Sequence, residues 1–288
     1  MMKVLILGAK GMLGQELARE FSVQNFEIIE WDKEDLDITD FFATQAKIKN
    51  IMPDILLNAV AYNLVDKIEE DPNIFELAKN INGEAVGNLV RICKENNIIF
   101  VHYSSDYVFK GDNKNGYRED DHTDPVNKYG QSKAIGEKIV LDIGGKFYIV
   151  RLSKLFGKPA SSLGGKKSFV DTMLWLATEG GKTHLDLVDE EIGCITYALD
   201  LAKFTRYIIE NKKPFGIYHG ANSGVCSWYE WAKEIFKIKN IKIDITPLAG
   251  DKFPRPAKRP MYSELLNTKL PPQRSWQEAL NEYLNLKI

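Results

Sequence analysis

The sequence predicts an α/β protein in which a doubly wound parallel sheet is followed by a smaller C-terminal substrate-binding domain. Three observations support this fold class. The chain opens with a short apolar run, Val4–Leu7, that leads directly into a glycine-rich turn and then into a helical pattern. Further apolar runs alternate with helical segments as far as Arg151, which is typical of a parallel sheet covered by helices on both faces. From Leu152 onward the alternation ends, and loops rich in glycine, serine and proline become frequent.

Composition and charge restrict the classes of function. The chain has 288 residues, of which 44% are hydrophobic and 27% charged, and its formal net charge is −2. A balance so near neutrality argues against binding to nucleic acid or to a membrane surface. No apolar run approaches the ~18 residues of a membrane span, and no signal peptide precedes the first strand, so we expect a cytoplasmic protein. Three scattered cysteines and four histidines without ligand spacing predict neither disulfides nor a metal site.

The glycine-rich turn, 8–14, has the pattern expected of a dinucleotide-binding site. Gly8 permits a tight turn, Gly11 lets the backbone approach the phosphates, and Gly14 allows close packing of helix on strand. The pyrophosphate would lie at the helix N-terminus, where free backbone N–H groups attract anions. The spacing is G-x-x-G-x-x-G, and an ordinary turn is the alternative. We therefore expect a Rossmann-type domain, with cofactor contacts at Gly8, Gly11, Met12, Leu13 and Gly14.

An acidic residue follows the second predicted strand, Glu27–Trp31. Asp32 lies about twenty residues after the glycines, where a carboxylate can accept hydrogen bonds from the adenosine ribose. That contact would favour NADH. Lys33 could instead meet the extra phosphate of NADPH. The expected cofactor is therefore NADPH or NADH, with the preference open.

Two turns further along the chain are also expected to line the cofactor. One precedes the next helix, for which Thr39 is the predicted N-cap, and a cap without cofactor contact is the alternative. The other ends the third strand, predicted within 53–61, where small side chains would let the backbone lie against the cofactor or would simply pack. The expected contacts in these turns are Asp37, Ile38, Ala59, Val60 and Ala61.

The most chemically specific stretch contains Tyr129 and Lys133, four residues apart in a helix predicted over 129–142. Four residues is one helical turn, so both side chains lie on one face. A nearby ammonium is expected to lower the pKa of the phenol from ~10, which would let Tyr129 give a proton to a ketone as hydride arrives. Ser105, at the carboxyl end of the fourth predicted strand, could hydrogen-bond the same ketone oxygen. A surface Tyr–Lys pair and a plain turn cap are the alternatives.

The C-terminal half is predicted to be mixed in structure. Helices are predicted over 168–179, 196–210, 227–236 and 275–286, with Ser227 as an N-cap. Prolines exclude regular structure from 253–260, whose cations could clamp a diphosphate or form an ordinary basic linker. The predicted dinucleotide-binding domain is 1–151 together with 194–213, and the predicted substrate-binding domain is 152–193 together with 214–288.

Taken together, these motifs resemble the dTDP-4-dehydrorhamnose reductase family of the extended short-chain dehydrogenase/reductase superfamily, over nearly the whole chain. The similarity is carried by the segments 8–17, 58–67, 102–109, 127–137 and 259–270. The resemblance implies that Ser105, Tyr129 and Lys133 form the catalytic triad, and that Tyr129 and Lys133 also contact the cofactor. It further implies that the substrate-binding residues include Asp106, Tyr107, Lys154 and Arg259.

Two segments depart from the family pattern, both in the sugar-binding half. Lys154 stands where family members usually carry a tryptophan, and Glu190–Thr196 replaces their usual D-Q-x-G-x-P-T. Exchanging tryptophan for lysine replaces an apolar wall by a cation. This change could indicate a different, more acidic sugar, or the side chain of Lys154 could point to solvent.

The function implied by the resemblance is reduction of the C4 ketone of a nucleotide-linked 4-keto-6-deoxy sugar, with conversion of dTDP-4-dehydro-L-rhamnose to dTDP-L-rhamnose as the expected reaction. The expected partner is the nucleotide sugar, without nucleic acid or membrane, and a homodimer fits the family. Two alternatives stay open. One is a nucleotide-sugar epimerase or dehydratase with tightly held NAD. The other is a non-catalytic subunit resembling the regulatory subunit of methionine adenosyltransferase.

Overall fold

The computed structural model describes residues 1–23, 25–161 and 167–286. Its strands are β1 (Met2–Leu7), β2 (Phe26–Trp31), β3 (Ile55–Asn58), β4 (Ile99–Ser105), β5 (Phe147–Leu152), β6 (Leu155–Phe156), β7 (His184–Val188), β8 (Ile192–Gly193), β9 (Thr196–Tyr197), β10 (Gly216–His219), β11 (Asp244–Leu248) and β12 (Tyr262–Ser263). Its α-helices are α1 (Met12–Phe21), α2 (Phe41–Ile51), α3 (Val65–Glu70), α4 (Pro72–Lys79), α5 (Ala85–Glu95), α6 (Lys128–Ile143), α7 (Phe169–Ala177), α8 (Ala198–Glu210), α9 (Trp228–Ile238) and α10 (Trp276–Asn285).

The central sheet contains six parallel strands in the order β2-β1-β3-β4-β5-β10. Strand β1 pairs with β2 on one side and with β3 on the other, so the strand order reverses at β1. In open parallel sheets, ligands bind beyond the carboxyl ends of the strands at such a reversal. The predicted doubly wound parallel sheet is confirmed, and its topology locates the crevice beyond β1 and β3.

Helices cover both faces of the sheet because its strands are apolar on both sides. On one face, Leu17 and Phe21 of α1 and Leu201 of α8 pack in a single cluster with the strands. On the other face, Val86 and Leu89 of α5 belong to a second cluster, to which α2 and α6 also contribute. The helices on each face thereby fix the carboxyl edge of the sheet from both sides.

A separate hydrophobic core lies among α7, α9 and α10. Its centre is Trp231, which is 1% exposed and lies edge-on to Phe156 with ring centroids 5.8 Å apart. Leu280 of α10 belongs to the same cluster, as does Leu187 of β7. Short parallel pairs join β7 to β11, β8 to β12, and β6 to β9.

Two details of the first half differ from the sequence-based expectations. Thr39 is not the N-cap of α2, which was predicted wrongly: the Asp40 side chain accepts the Ala43 N–H at 3.0 Å, while the Thr39 hydroxyl donates to Asp37. The sequence also predicts one long helical segment after the third strand, over 73–96, which the structure interrupts. A π-helical turn at Asn80–Glu84 separates α4 from α5.

The second half contains strands that the sequence did not predict. β10 pairs with β5 and is an edge strand of the central sheet, although it lies in the range 214–288 assigned above to substrate binding. The Ser227 cap is confirmed, since its side chain and Glu230 form a reciprocal capping box at α9. The segment 253–260 contains neither helix nor strand, as predicted. Among the helices in the described ranges, none is long and apolar enough to cross a membrane.

Candidate active site

The glycine-rich turn lies at the carboxyl end of β1, where the strand order reverses. Gly8 has a φ of 76°, a conformation that L side chains rarely adopt, and its N–H donates to the Trp31 carbonyl at 2.8 Å. A Cβ on Gly14 would collide with the Gly8 carbonyl oxygen and lie 2.7 Å from Cα of Ala9. The start of α1 can therefore pack this closely on β1 only with glycine at position 14.

The N-terminus of α1 is arranged to receive an anion. Gly11 is the N-cap residue, and it has no side chain to satisfy the first N–H groups of the helix, which include those of Met12 and Leu13. Uncapped amides and the positive end of the helix dipole favour phosphate at this position. The fit to a dinucleotide pyrophosphate is good.

Asp32, at the end of β2, lies beside this turn. Its carboxylate accepts the Lys10 N–H at 3.0 Å and the Lys33 N–H at 2.8 Å. The ammonium of Lys10 pairs with Glu34 at 3.0 Å. Asp32 is therefore held facing the glycine-rich turn by backbone contacts, with acceptor capacity left for ribose hydroxyls.

The other predicted cofactor contacts flank the same crevice. After β3, the Ala59 N–H donates to the Leu7 carbonyl at 3.0 Å, and a Cβ on Gly8 would lie 3.2 Å from the backbone of Ala59 and of Val60. The structure thus brings the turn after β3 against the glycine-rich turn. Ala61, Asp37 and Ile38 follow the ends of β3 and β2, with Ile38 buried and Asp37 exposed.

Helix α6 holds Tyr129 in its first turn, and close packing fixes its position. The buried Asn127 side chain caps the helix by accepting the Gly130 N–H at 2.8 Å. A Cβ on Gly130 would collide with the Tyr107 carbonyl, so the helix start lies directly on the turn after β4. The ring of Tyr107 lies edge-on to that of Tyr129, with centroids 5.6 Å apart. Tyr129 and Ser105 are therefore brought to one place from different elements.

The acidity of Tyr129 differs from expectation. Burial raises its pKa to about 12, opposed by a hydrogen bond with the Ser105 hydroxyl and reinforced by the negative charge of Asp106. Lys133 does not point at the phenol: its ammonium donates to the Tyr103 carbonyl at 2.7 Å and lies 3.3 Å from Nε2 of His102. The expectation that Lys133 lowers the pKa of Tyr129 is wrong for this arrangement, because burial outweighs any effect of the amine.

Lys133 is itself strongly perturbed. Its side chain is almost completely buried, and burial lowers its pKa to about 8, against the opposing charge of Glu137 one turn further along α6. Glu137 is in turn paired with the buried Arg151, through contacts of 2.9 and 2.7 Å. The amine can therefore change its charge close to neutral pH.

Asp106 is engaged inside the protein. One carboxylate oxygen accepts the Ser105 hydroxyl at 3.0 Å, and the other accepts the Ser153 and Ser263 hydroxyls at 2.8 and 2.7 Å. Asp106 is 2% exposed, and burial raises its pKa. Three hydroxyls from separate segments thus surround the residue for which a substrate contact was predicted.

Arg259 and its neighbours connect the proline-rich segment to the sheet edge. The Arg259 guanidinium donates to Asp66 at 2.7 Å and to the Ala257 carbonyl at 2.8 Å. Asn127 donates to the Lys258 carbonyl at 2.8 Å, which ties this segment to the start of α6. Because the start of α6 lies on the turn that contains Tyr107, Arg259 is also near Tyr107. Burial raises the pKa of Tyr107, and the positive charge of Arg259 opposes that shift.

The two departures from the family pattern meet in space. The ammonium of Lys154 donates to the carbonyls of Glu191 and Cys226 at 3.1 and 3.0 Å and lies 4.8 Å from the ring centroid of Trp228. The Trp228 indole donates to the Glu191 carboxylate at 2.9 Å, which also pairs with Arg255. Lys154 thus points into the protein, so the alternative of a solvent-facing side chain is excluded.

The sequence model of the family described as "RmlD substrate binding domain" matches residues 2–287. The chain belongs to this family. A curated relative, the spore coat polysaccharide biosynthesis protein SpsK of Bacillus subtilis, is 36% identical over 99% of this chain and 97% of its own length.

Two solved structures of relatives agree closely with this chain in fold. A dTDP-4-dehydrorhamnose reductase from Clostridium acetobutylicum has a TM-score of 0.92 at 36% identity, covering 99% of each chain. A dTDP-4-dehydrorhamnose reductase from Bacillus anthracis in complex with NADP has a TM-score of 0.91 at 34% identity, covering 98% of each chain.

Sequence reasoning missed the polar residues behind this candidate site. Asn82, in the π-helical turn, accepts the Tyr62 N–H and donates to the Tyr62 carbonyl and the Ser132 hydroxyl, each at 2.9 Å. Asn58, the last residue of β3, and His102, its neighbour within β4, are both buried. The signal available in the sequence was a polar residue within an apolar strand.

Cavities of about 430 and 550 Å³ lie along α9 and α8 and contain none of the predicted site residues.

Proposed function

We propose that this protein reduces the C4 ketone of a nucleotide-linked 4-keto-6-deoxy sugar with NADPH or NADH, and that dTDP-4-dehydro-L-rhamnose is the substrate. The observation that carries the proposal is that Ser105, Tyr129 and Lys133 converge at the end of β4. This strand is joined through β3 to β1, so the three residues share the carboxyl edge of the sheet with the uncapped, glycine-bounded start of α1. Membership of the RmlD family and relatives named dTDP-4-dehydrorhamnose reductase support the same reaction.

The residues divide the chemistry as follows. Bound NADPH or NADH supplies a hydride. Tyr129, with a phenol that burial keeps protonated, donates the proton to the ketone oxygen. The Ser105 hydroxyl lies beside it and, when it turns from Asp106, can donate to the charge that develops there. Lys133 holds a positive charge behind them. Its lowered pKa makes it a stronger acid than the phenol, so it is the proton source for the phenolate, through an intervening water because its ammonium does not contact the phenol.

Substrate binding is proposed for the side of the crevice opposite the glycine-rich turn. Tyr107, Lys154 and Arg259 border Asp106 and the proline-rich segment there, and Arg255 adds a further cation. Guanidinium groups suit a diphosphate because they can donate two parallel hydrogen bonds. The separate core around Trp231 supports the assignment of 152–193 and most of 214–288 to this role.

The test is a spectrophotometric assay of NADPH and NADH oxidation with a panel of nucleotide-linked 4-keto sugars. We expect turnover with dTDP-4-dehydro-L-rhamnose, and a loss of about 10²-fold or more in kcat for Tyr129→Phe with cofactor affinity retained. Equal turnover by the variant would refute the role of Tyr129. Stoichiometric NAD in the purified protein, with no net cofactor oxidation, would instead indicate an epimerase or dehydratase.

A further inference from the structure

A chain of buried polar groups leads from the turn after β3 to Lys133. The Val60 N–H donates to Oδ1 of Asn58 at 3.2 Å, and Nδ2 of Asn58 lies 3.3 Å from Nδ1 of His102. On the far side of the imidazole, Nε2 of His102 lies 3.3 Å from Nζ of Lys133. Asn58 and His102 are both 0% exposed, so water does not compete for these contacts.

The direction of this chain is set at its first member. A backbone N–H can only donate, so the oxygen of Asn58 faces Val60 and its NH₂ faces the imidazole. An NH₂ group also can only donate, so Nδ1 of His102 must accept. A neutral imidazole then carries its proton on Nε2, directed at Lys133. A neutral amine can accept that N–H, whereas an ammonium has no lone pair with which to do so.

We propose that His102 is a positioning residue that controls the charge of Lys133, and that Asn58 acts on Lys133 by fixing the tautomer of His102. The inference deepens the proposed function, and its catalytic meaning rests on that function. Its structural part, the tautomer of His102, stands without it. In the proposed reaction, an amine that gives up its proton readily can return one to the Tyr129 phenolate after each turnover.

The other groups that face Lys133 are consistent with this role. From β4, the Tyr103 carbonyl accepts from Nζ at 2.7 Å. On α6, Tyr129 lies one turn before Lys133, and Glu137 one turn after it raises the pKa of the amine while being itself paired with Arg151 of β5. The pKa of His102 lies well below its ordinary value because of burial and the nearby Lys133 charge, so the imidazole stays neutral.

The direct test needs no substrate. We would record ¹⁵N shifts of the ring nitrogens in labelled protein between pH 6 and pH 9 and assign His102 by the signals lost in His102→Leu. The expected result is a neutral imidazole protonated at Nε2 over the whole range. An Nδ1-protonated ring, or a His102 that titrates near its ordinary pKa of about 6.5, would overturn the proposal.

The substitution Asn58→Asp then reverses the direction of the hydrogen bonds at His102 without changing side-chain size. In Asn58→Asp, a carboxylate accepts from both Val60 and the ring, so Nδ1 of His102 becomes protonated and Nε2 becomes an acceptor for the Lys133 ammonium. We expect the alkaline fall in kcat/KM to move up by about one pH unit or more. Asn58→Asp made in a His102→Leu background should move the alkaline fall in kcat/KM by less than half as much. An equal shift without the imidazole would show that Asn58 acts on Lys133 directly. If the wild type and all of these variants fail to reduce any keto sugar, but NMR shows the expected tautomer of His102, only the proposed function is refuted.

Discussion

Ser105 donates its hydroxyl hydrogen to the carboxylate of Asp106, 3.0 Å away. The same carboxylate accepts hydroxyls from Ser153, just beyond β5, and from Ser263 of β12. A single buried anion therefore ties the end of β4 to the neighbouring strand of the sheet and to a strand of the C-terminal half. The position of the proposed catalytic hydroxyl depends on this connection.

Asp106→Ala is expected to reduce the free energy of unfolding by several kcal/mol. The change leaves three buried hydroxyls without their acceptor, and each unsatisfied group costs roughly 1–3 kcal/mol. Asp106→Asn should cost clearly less, because its carbonyl oxygen can still accept from Ser153 and Ser263. Urea denaturation of the two variants measures the difference, and equal destabilisation would contradict the three-hydroxyl arrangement.

The glycine-rich turn offers a graded comparison between two glycines. A Cβ on Gly14 would overlap the Gly8 carbonyl oxygen, whereas a Cβ on Gly11 would lie 3.1 Å from it. We expect Gly14→Ala to abolish cofactor binding or folding, and Gly11→Ala to weaken binding of NADPH and NADH by a smaller factor. Thermal shift with and without cofactor separates the two effects. A Gly14→Ala protein that binds cofactor normally would exclude the close packing described.

The cofactor half could be predicted from sequence because its signals are local. The Val4–Leu7 run, the glycine spacing and Asp32 all depend on short-range geometry, and the structure places them together at one edge. The edge strand Gly216–His219 could not be predicted in the same way. It has four residues, begins with glycine and owes its conformation to pairing with β5, which is distant in sequence.

The surroundings of the site depend on long-range contacts that sequence patterns do not carry. The contacts of Lys154 with Trp228 and with the carbonyl of Glu191 follow only from how three segments distant in sequence pack together. The pKa of Tyr129 was predicted in the wrong direction for the same reason: one-turn spacing reveals the amine, but not the burial that dominates.

The charges around Asp32 predict a preference for NADH. Three carboxylates, those of Asp32, Glu34 and Asp35, act on the ammonium of Lys10. With Lys33 beside Asp32 there are two cations against three anions, so the end of β2 carries one excess negative charge. A 2′-phosphate would be repelled there. We expect kcat/KM for NADH to exceed that for NADPH by roughly tenfold, or about 1.4 kcal/mol, and Asp32→Ser to reduce or reverse the preference. Faster turnover of NADPH by the wild-type protein would contradict this reading.

The alkaline limit of activity should be set by Lys133. Its pKa is lowered to about 8 by burial, and its positive charge is present below that pH and lost as pH rises through it. Because Glu137 raises the pKa of Lys133, Glu137→Gln should move the alkaline fall in kcat/KM to lower pH. The pH–rate profile of both proteins measures this, and a shift to higher pH would contradict the assignment of the alkaline limit to Lys133.

Lys154 is expected to act on sugar binding through the backbone that it holds. It has a φ of 41°, unusual for a residue other than glycine, and its ammonium joins the carbonyls of Glu191 and Cys226 beside Trp228. Lys154→Met removes both donors while keeping an apolar stem of similar length. We expect KM for the keto sugar to rise about tenfold, which corresponds to about 1.4 kcal/mol, with cofactor affinity unchanged. The exposed Lys158 offers a matched control, since Lys158→Met should leave KM within about twofold of wild type. Two variants with the same KM would show that the cation at position 154 has no part in recognising the sugar.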